Sequence, residues 1–591
     1  MCGFGGEIRF DGALADVQAV ERMGEPLRPR GPDGRGVWAS GPAALIHRRL
    51  RIIDLSEAGA QPMVDAELGL TLAFNGCIYN YRELRDELTQ LGYKFFSTSD
   101  SEVILKAFHR WGEHCVERFH GMFAFVIVER GGRVVMARDR LGIKPLYIAE
   151  AKGRVRFAST LPALVAAGDL DTTIDPVALH HYMTFHSVVP APYTILRGVR
   201  KLAPGTIRAI DKDGHAEDTR YWQPEFSRPS RSLTPEEWQH EVLTHLRTAV
   251  KRRMVADVPV GVLLSGGLDS SLIVALLAES GQKRLNTFSI GFEDAGGESG
   301  NEFVYSDLVA KHFDTDHHQI RIDAHRLLPA IDGAIHAMSE PMVSHDAVAF
   351  YLLSEEVSKH VRVVQSGQGA DEVFAGYDWY PPLARIPRAA AAPHYKRVFF
   401  DRPHALLRTI LSAEWIGDAD PSSEFLDRHF AQPGADTTLD AALRIDSQIM
   451  LVDDPVKRVD NMTMAFGLEG RVPFLDHELV ELAAQIPPDL KLADGGKGVL
   501  KRASRGVVPD EVIDRTKGYF PVPAIRHLSG PLLERVRDAL NSSAARGRKL
   551  FNADYVTQLL ERPNETRTTL GSNALWQLGL LEMWLQAQGV G

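Results

Sequence analysis

Three cysteines in 591 residues are too few for a disulfide framework, and Cys2, Cys77 and Cys115 lack the spacing of a zinc site. A reducing compartment, the cytoplasm, is therefore the expected location. No run of about 18 apolar residues occurs, so no membrane span is expected. The first residues lack the basic segment and apolar core of a secretory signal. Basic residues are the minority: 67 Lys and Arg stand against 77 Asp and Glu, a formal charge of −10. That balance argues against a general binder of nucleic acid or of acidic membrane. No repeat or low-complexity tract is evident, and the length calls for two or more domains.

What the chain has is Ser265-Gly266-Gly267-Leu268-Asp269-Ser270-Ser271, set between the apolar runs 260–264 and 272–277. The order reads strand, glycine turn, helix. Glycines let the backbone approach an anion, and a helix start offers unpaired N–H groups at a positive dipole end. Such a nest holds phosphate, yet the Lys-Ser/Thr ending of a Walker loop is missing.

Around this loop the chain divides in two. The first ~200 residues read as β-rich, with strands at 70–74, 123–128 and 134–137 and helical spacing at 81–91 and 102–111. A polar, turn-rich stretch at 211–233 reads as a linker. Thr234-Pro235-Glu236-Glu237 then starts a helix with a capping box. Beyond it, strands at 258–264, 286–292 and 361–365 alternate with helices such as 270–277 and 348–358, the pattern of a parallel, doubly wound sheet. Residues 381–433 carry no assignable pattern. His180-His181 and His317-His318 lack a third ligand at suitable spacing and read as structural. Cys115 reads as a small core residue on a helix, and Trp576 and Trp584 as parts of a packing helix.

Cys2 follows the initiator Met, and removal of Met1 would leave a cysteine with a free α-amine. That amine titrates near about 7.7–8.0, so nucleophile and base can share one residue. Downstream come Arg30-Gly31-Pro32-Asp33-Gly34, His47-Arg48-Arg49-Leu50, Phe74-Asn75-Gly76-Cys77-Ile78-Tyr79-Asn80, Ser99-Asp100-Ser101-Glu102 and Gly121-Met122-Phe123-Ala124-Phe125. This set resembles the class II glutamine amidotransferase domain over roughly residues 2–200. The resemblance implies an α+β N-terminal-nucleophile fold that frees ammonia from glutamine. It makes Cys2 the nucleophile, Asn75 and the Gly76 N–H the oxyanion hole, Arg49 the clamp for the substrate α-carboxylate and Asp100 the partner of its α-ammonium. One departure stands out: the family usually carries Glu where this chain has Cys77.

The loop at 265–271 resembles the pyrophosphate loop of the ATP-pyrophosphatase family. With Thr287-Phe288-Ser289-Ile290-Gly291-Phe292, the run 366–377 (SGQGADEVFAGY), Leu468-Glu469-Gly470-Arg471-Val472-Pro473-Phe474-Leu475-Asp476 and Lys497-Gly498-Val499-Leu500-Lys501-Arg502, it resembles the synthetase domain of asparagine synthetase. The implied architecture is a glutaminase domain (2–210), a linker (211–233) and an α/β doubly wound ATP-pyrophosphatase-type domain with a helical extension (234–591). By the same resemblance Ser265, Gly266, Gly267, Asp269, Ser270 and Ser366 hold ATP, and Leu263, Ile290 and Gly367 line its adenosine pocket. Asp269 and Asp371 would hold Mg2+, and Lys497 would sit near the α-phosphate. On residue type alone, Lys497 and Lys501 share a helix face and read as solvated. The implied substrates are glutamine, ATP and a carboxylate acceptor, and a homodimer is compatible with such an enzyme.

A second departure is Gln368, where asparagine synthetases usually carry Glu near the acceptor. A carboxylate there suits an acceptor bearing an ammonium, such as aspartate; a neutral amide suits one whose amine is blocked. Gly76-Cys77-Ile78 and Gly367-Gln368-Gly369-Ala370 together resemble the N-acetylglutaminylglutamine amidotransferase branch, which works in osmoprotectant synthesis. The alternatives are an asparagine synthetase acting on aspartate and a silent homologue; the retained Cys2, Asp269, Asp371 and Lys497 argue against the second.

Overall fold

A computed structural model of the chain describes residues 2–229, 233–292, 303–515 and 523–590. Its amino-terminal part is built on β1 (Gly3–Arg9), β2 (Gly34–Ser40), β3 (Ala43–Arg49), β4 (Met63–Asp65), β5 (Leu70–Ile78), β6 (Gly121–Glu129), β7 (Val134–Arg138), β8 (Tyr147–Ala151), β9 (Arg154–Ala158), β10 (Arg200–Lys201), β11 (Thr206–Ile210) and β12 (Ala216–Arg220). They form two six-stranded antiparallel sheets, ordered β10-β8-β9-β1-β3-β2 and β12-β11-β7-β6-β5-β4. Period-two alternation explains why both faces of the second sheet are dry at β6. On β6, Ala124, Val126 and Val128 join the core shared with Phe4, Leu45 and Phe157 of the first sheet. Phe123, Phe125 and Ile127 point the other way, toward the helices Tyr81–Gln90 and Asp100–Trp111. The helices Val17–Met23 and Leu161–Ala167 cover the outer face of the first sheet. The result is the four-layer sandwich of an N-terminal-nucleophile domain.

The strand expected at 70–74 runs on to Ile78, so Asn75, Gly76 and Cys77 stand on the end of β5 rather than in a loop. The stretch read as a linker is partly sheet: β12 pairs with β11 around the turn at Asp213-Gly214. Every β12 side chain is exposed, so no apolar alternation marked it. Cys115 is buried as expected, but in the 3-10 turn Gly112–Arg118.

The helix Pro235–Arg252 opens the second part with the expected Thr234/Glu237 capping box. Beyond it β13 (Val260–Leu263), β14 (Asn286–Phe292), β15 (Asp316–Ile322), β16 (Val363–Gln365) and β17 (Glu469–Arg471) form an all-parallel sheet ordered β15-β14-β13-β16-β17. The order reverses direction between β13 and β16, and in such sheets the ligand crevice lies beyond the carboxyl ends of strands at that point. Two strands escaped the sequence reading: β15 is a polar edge strand, and β17 has only three residues. The unassigned segment 381–433 forms helices, including Ala391–Phe399 and Pro421–Ala431, whose Tyr395, Phe399, Leu426 and Phe430 enclose Phe185 and Tyr380. Trp576 and Trp584 lie on the buried helix Ala574–Ala587, and their indole N–H groups donate to Val343 O and Met338 O, each at 3.0 Å.

A buried ion cluster joins the two parts. Asp460 accepts from Arg30 Nη1 at 2.8 Å and Nη2 at 3.1 Å, and from Lys144 Nζ at 3.1 Å. Burial alone would raise this carboxyl; Arg30 and Lys144 outweigh burial and hold it at about 2. Removing the charge would strand two buried cations, a loss of about 3–5 kcal/mol. Asp460→Asn should therefore lower the unfolding midpoint in a denaturant titration, whereas Asp427→Asn, at the surface, should not.

Candidate functional site

Strand geometry brings the first set of predicted residues together. Cys2 lies at the start of β1, Arg49 at the end of β3, Asn75 and Gly76 near the end of β5, and Asp100 at the start of the helix Asp100–Trp111. Cys2, Arg49, Gly76 and Asp100 line one small cavity, and Asn75 is fully buried beside it. The Cys2 backbone N–H donates to Asn75 Oδ1 at 3.1 Å, which fixes the amide orientation. Asn75 Nδ2 is then a buried donor with no partner among the described residues. Such orphans are rare and point to a ligand oxygen. Gly76 has φ +154°, and a Cβ there would lie 2.1 Å from Met122 O, so only glycine fits.

The charges are set by burial. Arg49 is anchored by donation to Ser56 O at 2.7 Å and to Asp54 O, with N–H groups to spare for the cavity. Burial pushes the Cys2 thiol up, so it rests protonated. Asp100 is raised to about 6, chiefly by burial, although its Oδ2 accepts from Ile78 N at 3.0 Å. Cys77 is buried and its thiol is likewise pushed up and neutral. One lining residue was not anticipated: Glu469, on β17 of the second domain. The sequence reading placed its motif in the synthetase half, and nothing local signals that this strand reaches the other site.

The second set lines a crevice of about 870 Å³ at the switch point: Leu263, Ser265, Gly267, Asp269, Ser270, Ile290, Ser366, Gly367, Gln368, Asp371 and Lys497 all face it. Gly266 does not. It turns the chain at φ +73°, and its carbonyl accepts from Arg515 at 2.9 Å. The loop is braced from within. Ser270 Oγ accepts from Ser265 N at 3.2 Å and meets Ser265 Oγ at 3.0 Å, while Gly267 N donates to Ser265 Oγ at 3.3 Å. The helix Leu268–Glu279 has no side-chain cap, so its first N–H groups are left for an anion.

Lys497 is not the solvated lysine its residue type suggests. It is buried, and its Nζ lies 2.7 Å from Asp269 Oδ2 and 2.8 Å from Asp371 Oδ1. Those two carboxylates overcome burial and raise the ammonium's pKa. Two carboxylates, from the first turns of the helices Leu268–Glu279 and Ala370–Phe374, converge on one cation and form a hard-oxygen set that fits Mg2+. A Cβ on Gly376 would lie 2.0 Å from Asp371 Oδ1 and 2.3 Å from Lys497 Cε, so any side chain there would displace this ion pair. Glu372 is raised to about 7, by burial and then by Asp371, and accepts from Tyr377 OH at 2.6 Å.

The sequence spacing showed no third ligand beside the paired histidines, but the fold brings His404 and Asp420 within ligand distance of His180. His317 Nδ1 meets Thr287 Oγ1 at 2.8 Å. His180 Nε2 meets His404 Nδ1 at 3.0 Å between nearly parallel rings, a histidine–histidine hydrogen bond with Asp420 nearby.

Comparison with known proteins agrees with this layout. The asparagine synthase family profile matches residues 241–586, and the glutamine amidotransferase domain profile matches residues 1–222. Asparagine synthetase [glutamine-hydrolyzing] 1 of Bacillus subtilis is 33% identical, over 99% of this chain and 96% of its own. The chain belongs to the asparagine synthetase family. A putative asparagine synthetase of Mycobacterium tuberculosis is 34% identical over 96% of this chain and 93% of its own. The amidase chry2 of Gibberella zeae is 26% identical over 92% of both. The protein is thus a glutamine-dependent, ATP-using ligase with two domains in the family's order. Among the described residues, no helix is long and apolar enough to cross a membrane.

The steric limit at Gly76 gives a direct check. Gly76→Ala should abolish glutamine hydrolysis or the fold itself, whereas Gly131→Ala, whose added Cβ meets nothing within 4 Å, should leave thermal unfolding and hydrolysis unchanged.

Proposed function

We propose that this enzyme amidates N-acetylglutaminylglutamine, activating its carboxylate with ATP and using ammonia released from glutamine at Cys2. The observation that carries the acceptor is Gln368. It lines the same crevice as the pyrophosphate loop and is neutral where the family's Glu would meet an ammonium. The nearby Glu372, raised to about 7, is suited to hydrogen bonding rather than to a strong ion pair.

The proposal assigns the residues these roles. In the processed enzyme the Cys2 amine, 3.1 Å from Asn75 Oδ1, takes the thiol proton as sulfur attacks the glutamine amide carbon and returns it to the nitrogen as the C–N bond breaks and ammonia leaves; water then hydrolyses the glutamyl thioester to glutamate and the free thiol. Asn75 Nδ2 and the Gly76 N–H receive the oxygen that becomes negative, interactions worth about 3–4 kcal/mol of barrier per donor. Arg49 binds the α-carboxylate in a bidentate fork. In the crevice, Ser265, Gly267 and Ser270 cradle the phosphates at the helix start, and Ser366 and Gly367 bound the nucleotide. Mg2+ held by Asp269 and Asp371 would neutralise the departing pyrophosphate. Lys497, which lines the same crevice, would stabilise charge at the α-phosphate as the acceptor carboxylate attacks. Ammonia then displaces AMP and the amide forms.

The test is the product spectrum. Incubated with ATP, glutamine and single carboxylates, the enzyme should release pyrophosphate and form amide with N-acetylated Gln-Gln and not with aspartate. Gln368→Glu should lower kcat/KM for the blocked dipeptide about tenfold or more, the effect of one mismatched buried charge. Asparagine as the product with aspartate would sink the assignment and favour an asparagine synthetase.

A further inference from the structure

The glutaminase cavity has a charge problem. Glutamine presents an α-carboxylate and an α-ammonium, and a buried ammonium needs a paired anion. The family's Glu is absent, and the Cys77 thiol in its place is buried and neutral. Asp100 remains, but burial leaves it at about 6, a weakly held charge.

We infer that Glu469, contributed by the synthetase domain, replaces the missing Glu of the glutaminase domain as an anion for the glutamine α-ammonium. Glu469 is 1% exposed and lines the same cavity as Cys2, Cys77 and Asp100. Burial would raise it, yet Arg471, the first of its positive neighbours, holds it well below the usual carboxylate range. Its backbone is fixed: Glu469 N donates to Arg362 O at 2.8 Å and the residue pairs in register with Val363. Arg471, whose Nε donates to Glu469 Oε1 at 2.5 Å, places it next to the substituted position, since Arg471 Nη2 lies 3.8 Å from Cys77 Sγ. Arg471 does not depend on Glu469 alone for partners, because its Nη1 donates to Arg253 O at 2.7 Å and Val255 O at 2.8 Å. The carboxylate thus does more than match that guanidinium: it brings a permanent negative charge into a cavity whose own domain has lost one.

This rests on the glutaminase reading of Cys2 and is tested by substrate preference. Ammonia release is measured from glutamine and from 5-amino-5-oxopentanoate, which keeps the amide and carboxylate and lacks the α-ammonium. The ratio of kcat/KM values isolates what the ammonium contributes. In the full-length enzyme that ratio should favour glutamine. Glu469→Gln should cut it about tenfold or more, the weight of one charge-assisted contact, and Glu469→Gln with Cys77→Glu should restore it. Glu469→Asp keeps a counter-charge for Arg471 but retracts the carboxylate, and should also lower the ratio. A purely structural Glu469 would slow both substrates alike, and an unchanged ratio in both single variants overturns the assignment. A wild-type enzyme that frees no ammonia from glutamine overturns the glutaminase reading and this assignment with it.

Discussion

The three residues of β17 are the constraint on which both sites depend. At one end Glu469 enters the glutaminase cavity; at the other the Arg471 carbonyl accepts from Ser366 N at 2.8 Å, and Ser366 lines the ATP crevice. A Cβ on Gly470, between them, would lie 2.5 Å from Val459 Cγ1, so the strand is pressed against the helix Lys457–Met464. That helix carries Asp460, which Arg30 and Lys144 of the first domain hold by charge. Shifting β17 would therefore disturb the glutamine cavity, the ATP crevice and the domain interface together.

Electrostatics divide the work between the two sites. In the glutaminase cavity burial keeps the groups quiet: the Cys2 thiol protonated, the Asp100 carboxyl raised, the Cys77 thiol neutral. Charge enters only where the substrate needs it, through Arg49 and the acids. In the crevice the charges are already matched, with Lys497 between Asp269 and Asp371. ATP and Mg2+ would exchange partners with a formed network rather than create a new one, which limits reorganisation when the nucleotide binds.

Much of this was legible in the sequence because the chemistry sits at turns with rigid backbone demands. The loop after β13 was readable from Gly266 and Gly267 between two apolar runs, and the glutaminase residues from their order from Cys2 to Asp100. Thr234 and Glu237 marked a helix start correctly. Missed features have common causes. β12 and β15 carry polar or exposed faces, so no period-two signal appears. The burial of Lys497 depends on partners 126 and 228 positions away in the chain, and Glu469 meets Cys77's neighbourhood across a domain boundary. Local pattern cannot encode contacts of that span.

The central claim is that the two sites form one reaction, with nitrogen released from glutamine at Cys2 ending in the amide of the acceptor. Its most direct test supplies glutamine labelled with nitrogen-15 in the side-chain amide, together with ATP and acceptor and no added ammonium, and weighs the amide product. The account predicts a product carrying nitrogen-15, and loss of that product in Cys2→Ala. An amide product without nitrogen-15, or one formed equally well by Cys2→Ala, would contradict it.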